Sequence, residues 1–238
     1  MAKPCVGIVV QARMGSTRLP HKVLMDLTDG ECILGYILRR LSACHSADKV
    51  IVATTDNTKD DVLETFLQKN DYEYFRGSEP DCLDRFNKTA KKFGLDIIVR
   101  ITADCPLIIP EVVDDMIDYY QKNRNYVDYL SNRQYTNFPE GLDTEVFNRK
   151  MLEDATINAD LADEREHINY YFLRRENKYR IRYFNHNYRH DYSRFKLSVD
   201  TIENYTRIVS LFNEKGLPVN FKFMDLIKLL TTEEQHHG

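Results

Sequence analysis

The sequence predicts an α/β protein built on a mainly parallel β-sheet, and three observations carry that reading. Short apolar runs rich in β-branched residues recur at residues 6–10, 50–54 and 96–101. Each has the length and composition of a buried strand. Between and after them lie segments with apolar residues at helical spacing, at 32–44, 59–70 and 110–122. Such alternation is the signature of right-handed βαβ crossovers.

Taken in order, the run 6–10 (VGIVV) follows Pro4 and carries no charge. Residues 11–22 (QARMGSTRLPHK) hold Arg13, Arg18 and Lys22 with Gly15 and Pro20, and no acidic residue. The helix at 32–44 turns Arg39 and Arg40 away from its apolar stripe, and the one at 59–70 buries Val62, Leu63, Phe66 and Leu67. A short strand at 72–75 and a turn at 76–80 (RGSEP) precede a helix that Asp81 opens and Gly94 closes. Pro110 suits the first turn of the helix at 110–122. Beyond residue 125 the character changes. Strands are expected at 126–135 and 143–147 around the turn 138–141 (FPEG), and helices at 151–157 and 164–175. Residues 179–184 alternate basic and apolar side chains, as a half-exposed strand would. Asp200 and Thr201 cap a helix at 202–212, and 224–230 is a short amphipathic end. The polar tail 231–238 is expected to fray, with His236 and His237 read as a purification remnant and not as metal ligands.

Composition narrows the function. A chain of 238 residues with 42% hydrophobic and 29% charged residues can bury a sizeable core. Its net charge of -4 argues against general attraction to nucleic acid or anionic membrane. No apolar run is long enough to span a membrane and no leader pattern is present, so a cytoplasmic protein is expected. The five cysteines are never spaced as CxxC, which fits reduced thiols. Cys105 lies beside an acidic residue but has no nearby general base, so a thiol nucleophile is disfavoured.

Sites in parallel sheets lie at the carboxyl ends of the strands. That rule gathers on one rim the cationic loop after the first strand, residues 54–56, residues 76–78 and residues 102–106 (TADCP). A strand running into a cationic, glycine-containing loop suits a polyphosphate, through exposed backbone N–H groups and guanidinium forks. The spacing is neither GxxxxGK[ST] nor GxGxxG, and a plain basic surface loop is the alternative.

The segments IVVQARMGSTRLPHKVL, FRGSEPDCLDRF, VRITADCPLI and LSVDTIENY resemble the cytidylyltransferase superfamily that makes CMP-sugars. FPEGLDTEVF and DEREHINYYF match its SpsF-like, spore-coat polysaccharide branch in particular. The resemblance runs from Val6 to Phe212 in the family's order. It implies a Rossmann-like three-layer α/β/α fold of the nucleotide-diphospho-sugar transferase type, commonly dimeric. It further implies Mg²⁺-dependent transfer of CMP from CTP to a small acceptor, with pyrophosphate leaving. One domain over 1–230 is expected: a nucleotide half to about residue 125, an acceptor and dimerisation half at 126–195, and a closing segment at 196–230.

By the same resemblance, Gln11, Ala12, Arg13, Ser16, Arg18 and Lys22 fall where the opening loop grips the triphosphate, with Arg13 and Lys22 catalytic. Gly77, Ser78 and Arg85 fall at the cytosine contacts, and Thr102 with the nucleotide site. Asp104 and Asp200 match the two metal aspartates, which suits Mg²⁺ completed by phosphate oxygens and water. Gly141, Asp143, Glu145, Arg165, Glu166 and His167 fall on the acceptor side. There are departures: His21 and Ala103 stand where the branch usually has Gly, and Ile202 and Asn204 where it has Pro and Asp. Taken singly, Asp104 reads as a turn residue, Asp200 as a helix cap and His167 as an exposed polar contact.

Two other functions compete. A nucleotide-sugar-dependent glycosyltransferase would place a metal aspartate at a similar strand end, but seldom needs so many cations after the first strand. An RNA- or polyanion-binding protein would use residues 170–196, where Arg174, Arg175, Lys178, Arg180, Arg182, Arg189 and Arg194 interleave with tyrosines and phenylalanines. The acidic whole chain disfavours it.

Overall fold

The computed structural model describes residues 3–188 and 190–237, the side chains of 233–237 excepted; Arg189, His236 and His237 thus give no side-chain information. The framework is a seven-stranded sheet. Its parallel part is β1 (Val6–Gln11), β4 (Lys49–Thr55), β5 (Glu73–Gly77) and β6 (Ile97–Thr102). β7 (Tyr129–Ser131), β8 (Glu145–Asn148) and β9 (Ile181–Tyr183) extend the same sheet in the order β5-β4-β1-β6-β8-β7-β9. β8 runs antiparallel to both β6 and β7. The chain beyond residue 125 therefore continues the sheet begun by the first 125 residues.

Alternation along each strand sends side chains to two apolar layers. Val6, Ile8 and Val10 face α1 (Ile33–Leu41), α2 (Asp61–Lys69), α4 (Pro110–Asn123) and α8 (Ile202–Asn213). Val9, Ile51, Ala53 and Ile98 face α3 (Cys82–Phe93), α5 (Arg149–Asn158) and α7 (Ile168–Leu173). The result is the expected α/β/α sandwich.

Several elements differ from the expectation. A two-stranded hairpin, β2 (Asp26–Thr28) with β3 (Glu31–Cys32), lies before α1 and has too few residues for a period-2 pattern to show. Arg40 is buried, not solvent-facing: Nε donates to the Ile108 carbonyl at 2.7 Å and Nη2 to that of Phe221 at 3.0 Å. Val62 is half exposed, because α2 buries only Leu63 and Leu67. Arg76 and Gly77 belong to β5 and not to a turn. The single helix expected at 164–175 is two, α6 (Ala162–Glu166) and α7, broken at His167. The C-terminal helix α9 (Phe223–His237) continues through the tail expected to fray.

Thr201, not Asp200, caps α8: its hydroxyl accepts from the Asn204 N–H, and the Asn204 side chain answers to the Thr201 N–H at 3.2 Å. The unusual asparagine thus completes a capping box. Thr201→Ala is expected to lower stability by about 1 kcal/mol, measured by urea denaturation; no change would mean that Asn204 caps alone.

Candidate active site

The site grows from the ends of β1 and β6. The loop after β1 folds back on itself, with the Ser16 and His21 N–H groups both donating to the Met14 carbonyl, at 2.9 and 3.1 Å. Asp60, buried at the foot of α2, accepts from the Met14 N–H at 2.6 Å and bonds the Thr55 hydroxyl. His21 adopts φ +62°, the left-handed region. This is the physical sense of the glycine usual there, and a side chain in that conformation costs about 1–2 kcal/mol. The turn at His21 starts the short helix Lys22–Leu24, whose Val23 is buried and anchors the lysine.

Asp104 sits in the turn after β6, where the Thr102 hydroxyl donates to its Oδ1 at 2.6 Å. Asp200 lies at the end of the irregular segment before α8. A backbone bond from the Val199 N–H to the Asp104 carbonyl, at 2.8 Å, ties the two regions together. Between the aspartates stands Lys22, almost fully buried. Its Nζ donates to the Val199 carbonyl at 2.6 Å and lies 3.3 Å from Asp104 Oδ2 and 3.6 Å from Asp200 Oδ1. Arg18 reaches the same Asp200 oxygen at 2.9 Å. Burial would raise the Asp104 pKa, but the Lys22 ammonium and the Thr102 hydroxyl outweigh it and hold the carboxyl below its usual value.

A cleft of about 410 Å³ opens on this rim. Of the residues expected there, Gln11, Ala12, Arg13, Ser16, Arg18, Lys22, Thr102, Asp104, Asp143, Glu145, His167 and Asp200 line it. Gly77, Ser78, Arg85, Gly141, Arg165 and Glu166 do not. Arg85 is buried under the loop that follows β5, where its guanidinium donates to the Ser78 carbonyl. Glu166 faces Arg13 at 3.7 Å and Arg165 meets Asp81 at 3.2 Å, so α6 clasps the loops that follow β1 and β5. Gly141 has φ +97°, and a Cβ there would stand 2.5 Å from the Leu197 carbonyl carbon. It lets residues 140–143 pass against 195–198, where the Leu197 N–H donates to the Glu140 carbonyl at 2.8 Å.

The cleft is also lined by Arg100, Glu145, Arg133 and Asp143, with Glu140 and Ser198. Arg100 and Glu145 are a buried pair, and the Tyr129 hydroxyl also donates to Glu145. Burial would lower the Arg100 pKa, but Glu145 reverses this and raises it. Arg133 approaches Asp143 at 3.3 Å, yet burial outweighs that cation and pushes the Asp143 pKa up to about 6. Arg100, Arg133, Glu140, Lys196 and Ser198 are not among the site residues expected from the sequence. Arg100 carried a signal, a charge inside an otherwise apolar strand that needs a buried partner. Ser198 carried another, being two residues from Asp200 along an extended segment.

The cations of residues 170–196 are largely spoken for. Arg174 and Arg175 pair with Glu164, Lys178 with Asp154 and Arg180 with Asp128, while Tyr171, Phe172 and Tyr179 are core residues. The interleaving is mostly the exposed and buried sides of a packed edge. No helix among the described residues is long and apolar enough to cross a membrane.

A parallel sheet with a cationic loop facing two aspartates across the strand ends defines an enzyme of the nucleotidyl-transfer class. The residues 7–235 match the family model described as Cytidylyltransferase, and the chain belongs to that family. It is similar to the spore coat polysaccharide biosynthesis protein SpsF of Bacillus subtilis, at 34% identity over 93% of this chain and 92% of that one. A solved cytidylyltransferase from Leptospira borgpetersenii superposes with a TM-score of 0.90 at 36% identity, over 98% of this chain and 96% of the other. A CMP:2-keto-3-deoxy-manno-octonic acid synthetase solved with CTP shares the fold, with a TM-score of 0.68 at 17% identity over 89% and 99% of the two chains.

Proposed function

We propose that this cytidylyltransferase uses CTP and Mg²⁺ to place CMP on a hydroxyl of a sugar acid or similar small polar acceptor, releasing pyrophosphate, for surface polysaccharide assembly. The observation that carries the reading is the convergence of Arg13, Arg18 and Lys22 with Asp104 and Asp200 around one cleft. The relationship to SpsF supports the polysaccharide context, and the CTP complex of a protein sharing the fold supports the nucleotide. A homodimer goes with this reading.

The donor set fits a hard divalent cation. Asp104 and Asp200, whose carboxylates lie 3.3 and 3.6 Å from the one Lys22 ammonium, would be its protein ligands. Mg²⁺ is commonly held by one or two carboxylates completed by phosphate oxygens and water. Bound there, it would neutralise charge on the phosphates. The protein's own part is to hold the triphosphate with Arg13, Arg18 and the loop N–H groups, and to place Lys22 toward the leaving pyrophosphate. The acceptor oxygen attacks the α-phosphorus as the bond to the β-phosphate oxygen breaks. Asp143, with its pKa near 6, is suited to take the hydroxyl proton.

CTP with Mg²⁺ is expected to raise the melting temperature well above the shifts from ATP, GTP or UTP; at a hundred times its Kd the stabilisation would be about 2.7 kcal/mol. Equal shifts from all four nucleotides would remove the cytidylyl reading. Pyrophosphate release with CTP across candidate acceptors then identifies the second substrate. With that substrate, turnover should rise as Asp143 loses its proton near pH 6. Asp143→Asn should abolish this acid limb and lower turnover. An unchanged pH–rate profile in the variant would make Asp143 an acceptor contact only.

A further inference from the structure

The oxygens of Asp200 are already engaged by the protein's own cations. Arg18 and Lys22 lie on Oδ1 at 2.9 and 3.6 Å, and Lys196 lies on Oδ2 at 3.4 Å, with the Ser198 hydroxyl at 3.5 Å. Lys196 also faces Glu140 at 3.6 Å, and the backbones of the same two residues form an isolated bridge. Asp104 gives Oδ1 to Thr102 and Oδ2 to Lys22. Two carboxylates of the metal pair thus face three cations.

We propose that Arg18 and Lys22, with Lys196 holding Asp200 in place, form an internal cation clamp that keeps the aspartate pair from binding a divalent ion until the triphosphate arrives. The inference rests on Asp104 and Asp200 being the metal ligands of the function proposed above. The argument is electrostatic. A divalent ion entering the free site meets like charges within a few ångströms of its ligands, and little water lies around the buried Lys22 to screen them. The triphosphate brings roughly four negative charges to the adjoining loop. Arg18, the most exposed of the three cations, can then exchange carboxylate for phosphate, as can the donors of Lys22 that the Val199 carbonyl does not hold, and the freed aspartate oxygens turn to the metal. The clamp also serves the free protein, because two carboxylates this close would otherwise repel one another. Lys196, anchored to Glu140 on the opposite oxygen, keeps Asp200 oriented through the exchange and is a positioning residue. The metal accordingly enters with the nucleotide, and the free protein has no divalent site of its own.

The test uses Mn²⁺ as the probe, with bound and free ion counted by electron paramagnetic resonance on the intact, nucleotide-free protein. The wild type should bind no Mn²⁺ tighter than about millimolar, whereas Lys22→Met and Arg18→Gln should each gain a site at least about tenfold tighter. Arg18→Gln guards against a folding defect in the buried lysine variant. Equal Mn²⁺ affinity in the wild type and both variants, tight or undetectable, overturns the clamp. Adding Asp104→Asn to Lys22→Met should remove the gained site. A gained site that survives this change overturns the metal assignment itself, a failure distinct from that of the clamp. Lys196→Gln should raise the KM for the metal–nucleotide complex several-fold while leaving the free-protein site undetectable; an unchanged KM overturns the positioning role of Lys196.

Discussion

Lys22→Ala is expected to lower turnover by about two orders of magnitude, the scale of removing one preorganised charge-stabilising group. As CMP is transferred, negative charge grows on the departing pyrophosphate, so a fixed cation beside it contributes more in the transition state than in the ground state. The structure gives reasons to regard this ammonium as fixed. Val23 is buried and His21 turns the chain just before it, while the Val199 carbonyl accepts its proton at 2.6 Å. Steady-state kinetics in CTP at saturating acceptor measure the effect, with a melting curve to show that the variant folds. The unpaired Val199 carbonyl should cost about 1–3 kcal/mol of stability, which the melting curve also reads. Arg13→Ala should instead raise the KM for CTP, because its guanidinium is more exposed and is already shared between Glu79 and Glu166. A Lys22→Ala enzyme with unchanged turnover and only a raised KM would assign the lysine to ground-state binding.

The parallel core was readable because its signals are local. β1, β4 and β6 are short β-branched runs, and Asp81 and Gly94 mark the two ends of α3, the glycine at φ +66°. What failed locally was decided by tertiary contact. Arg40 sits on a helix face that periodicity assigns to solvent, yet three carbonyls from distant segments draw it inside. His167 interrupts the helix expected at 164–175, and α6 on its near side clasps the loops at Arg13 and Asp81. Neither event leaves a mark within a few residues of itself.

The candidate site divides in the same way. The loop and the two aspartates each lie in a segment with a recognisable pattern, and the structure brings them together through Lys22 and a backbone bond between Val199 and Asp104. The wall around Arg100 and Asp143 was legible only in part. Arg133 and Glu140 come from irregular chain between β7 and β8, where spacing predicts neither face nor direction. Arg85 was placed at the nucleotide base by motif; its side chain is nevertheless turned inward to hold the Ser78–Glu79 backbone. A motif specifies a position in the chain, and only packing specifies where the side chain ends.

Glu145→Ala is expected to destabilise the fold by about 3–5 kcal/mol, the scale of stranding one partner of a buried ion pair. Glu145 is 3% exposed and Arg100 8%, on neighbouring strands β8 and β6 that face each other in register. The carboxylate is committed to Arg100 on one side and to the Tyr129 hydroxyl on the other. Its loss leaves a guanidinium in a nearly dry site with Gln11 as its remaining polar partner, at 3.0 Å. The same reasoning fixes two controls. Glu145→Gln keeps hydrogen-bonding atoms and loses only the charge, so it should fall between the wild type and alanine. Replacing both partners with apolar residues, Arg100→Met with Glu145→Leu, should recover much of the loss, because no charge is then left unpaired. Urea denaturation provides the numbers, with the slope checked so that midpoints compare like with like. If Glu145→Ala costs under about 1 kcal/mol, water reaches this end of the cleft and Arg100 is solvated there. It would then be available to an anionic acceptor, in place of serving as the strut between β6 and β8.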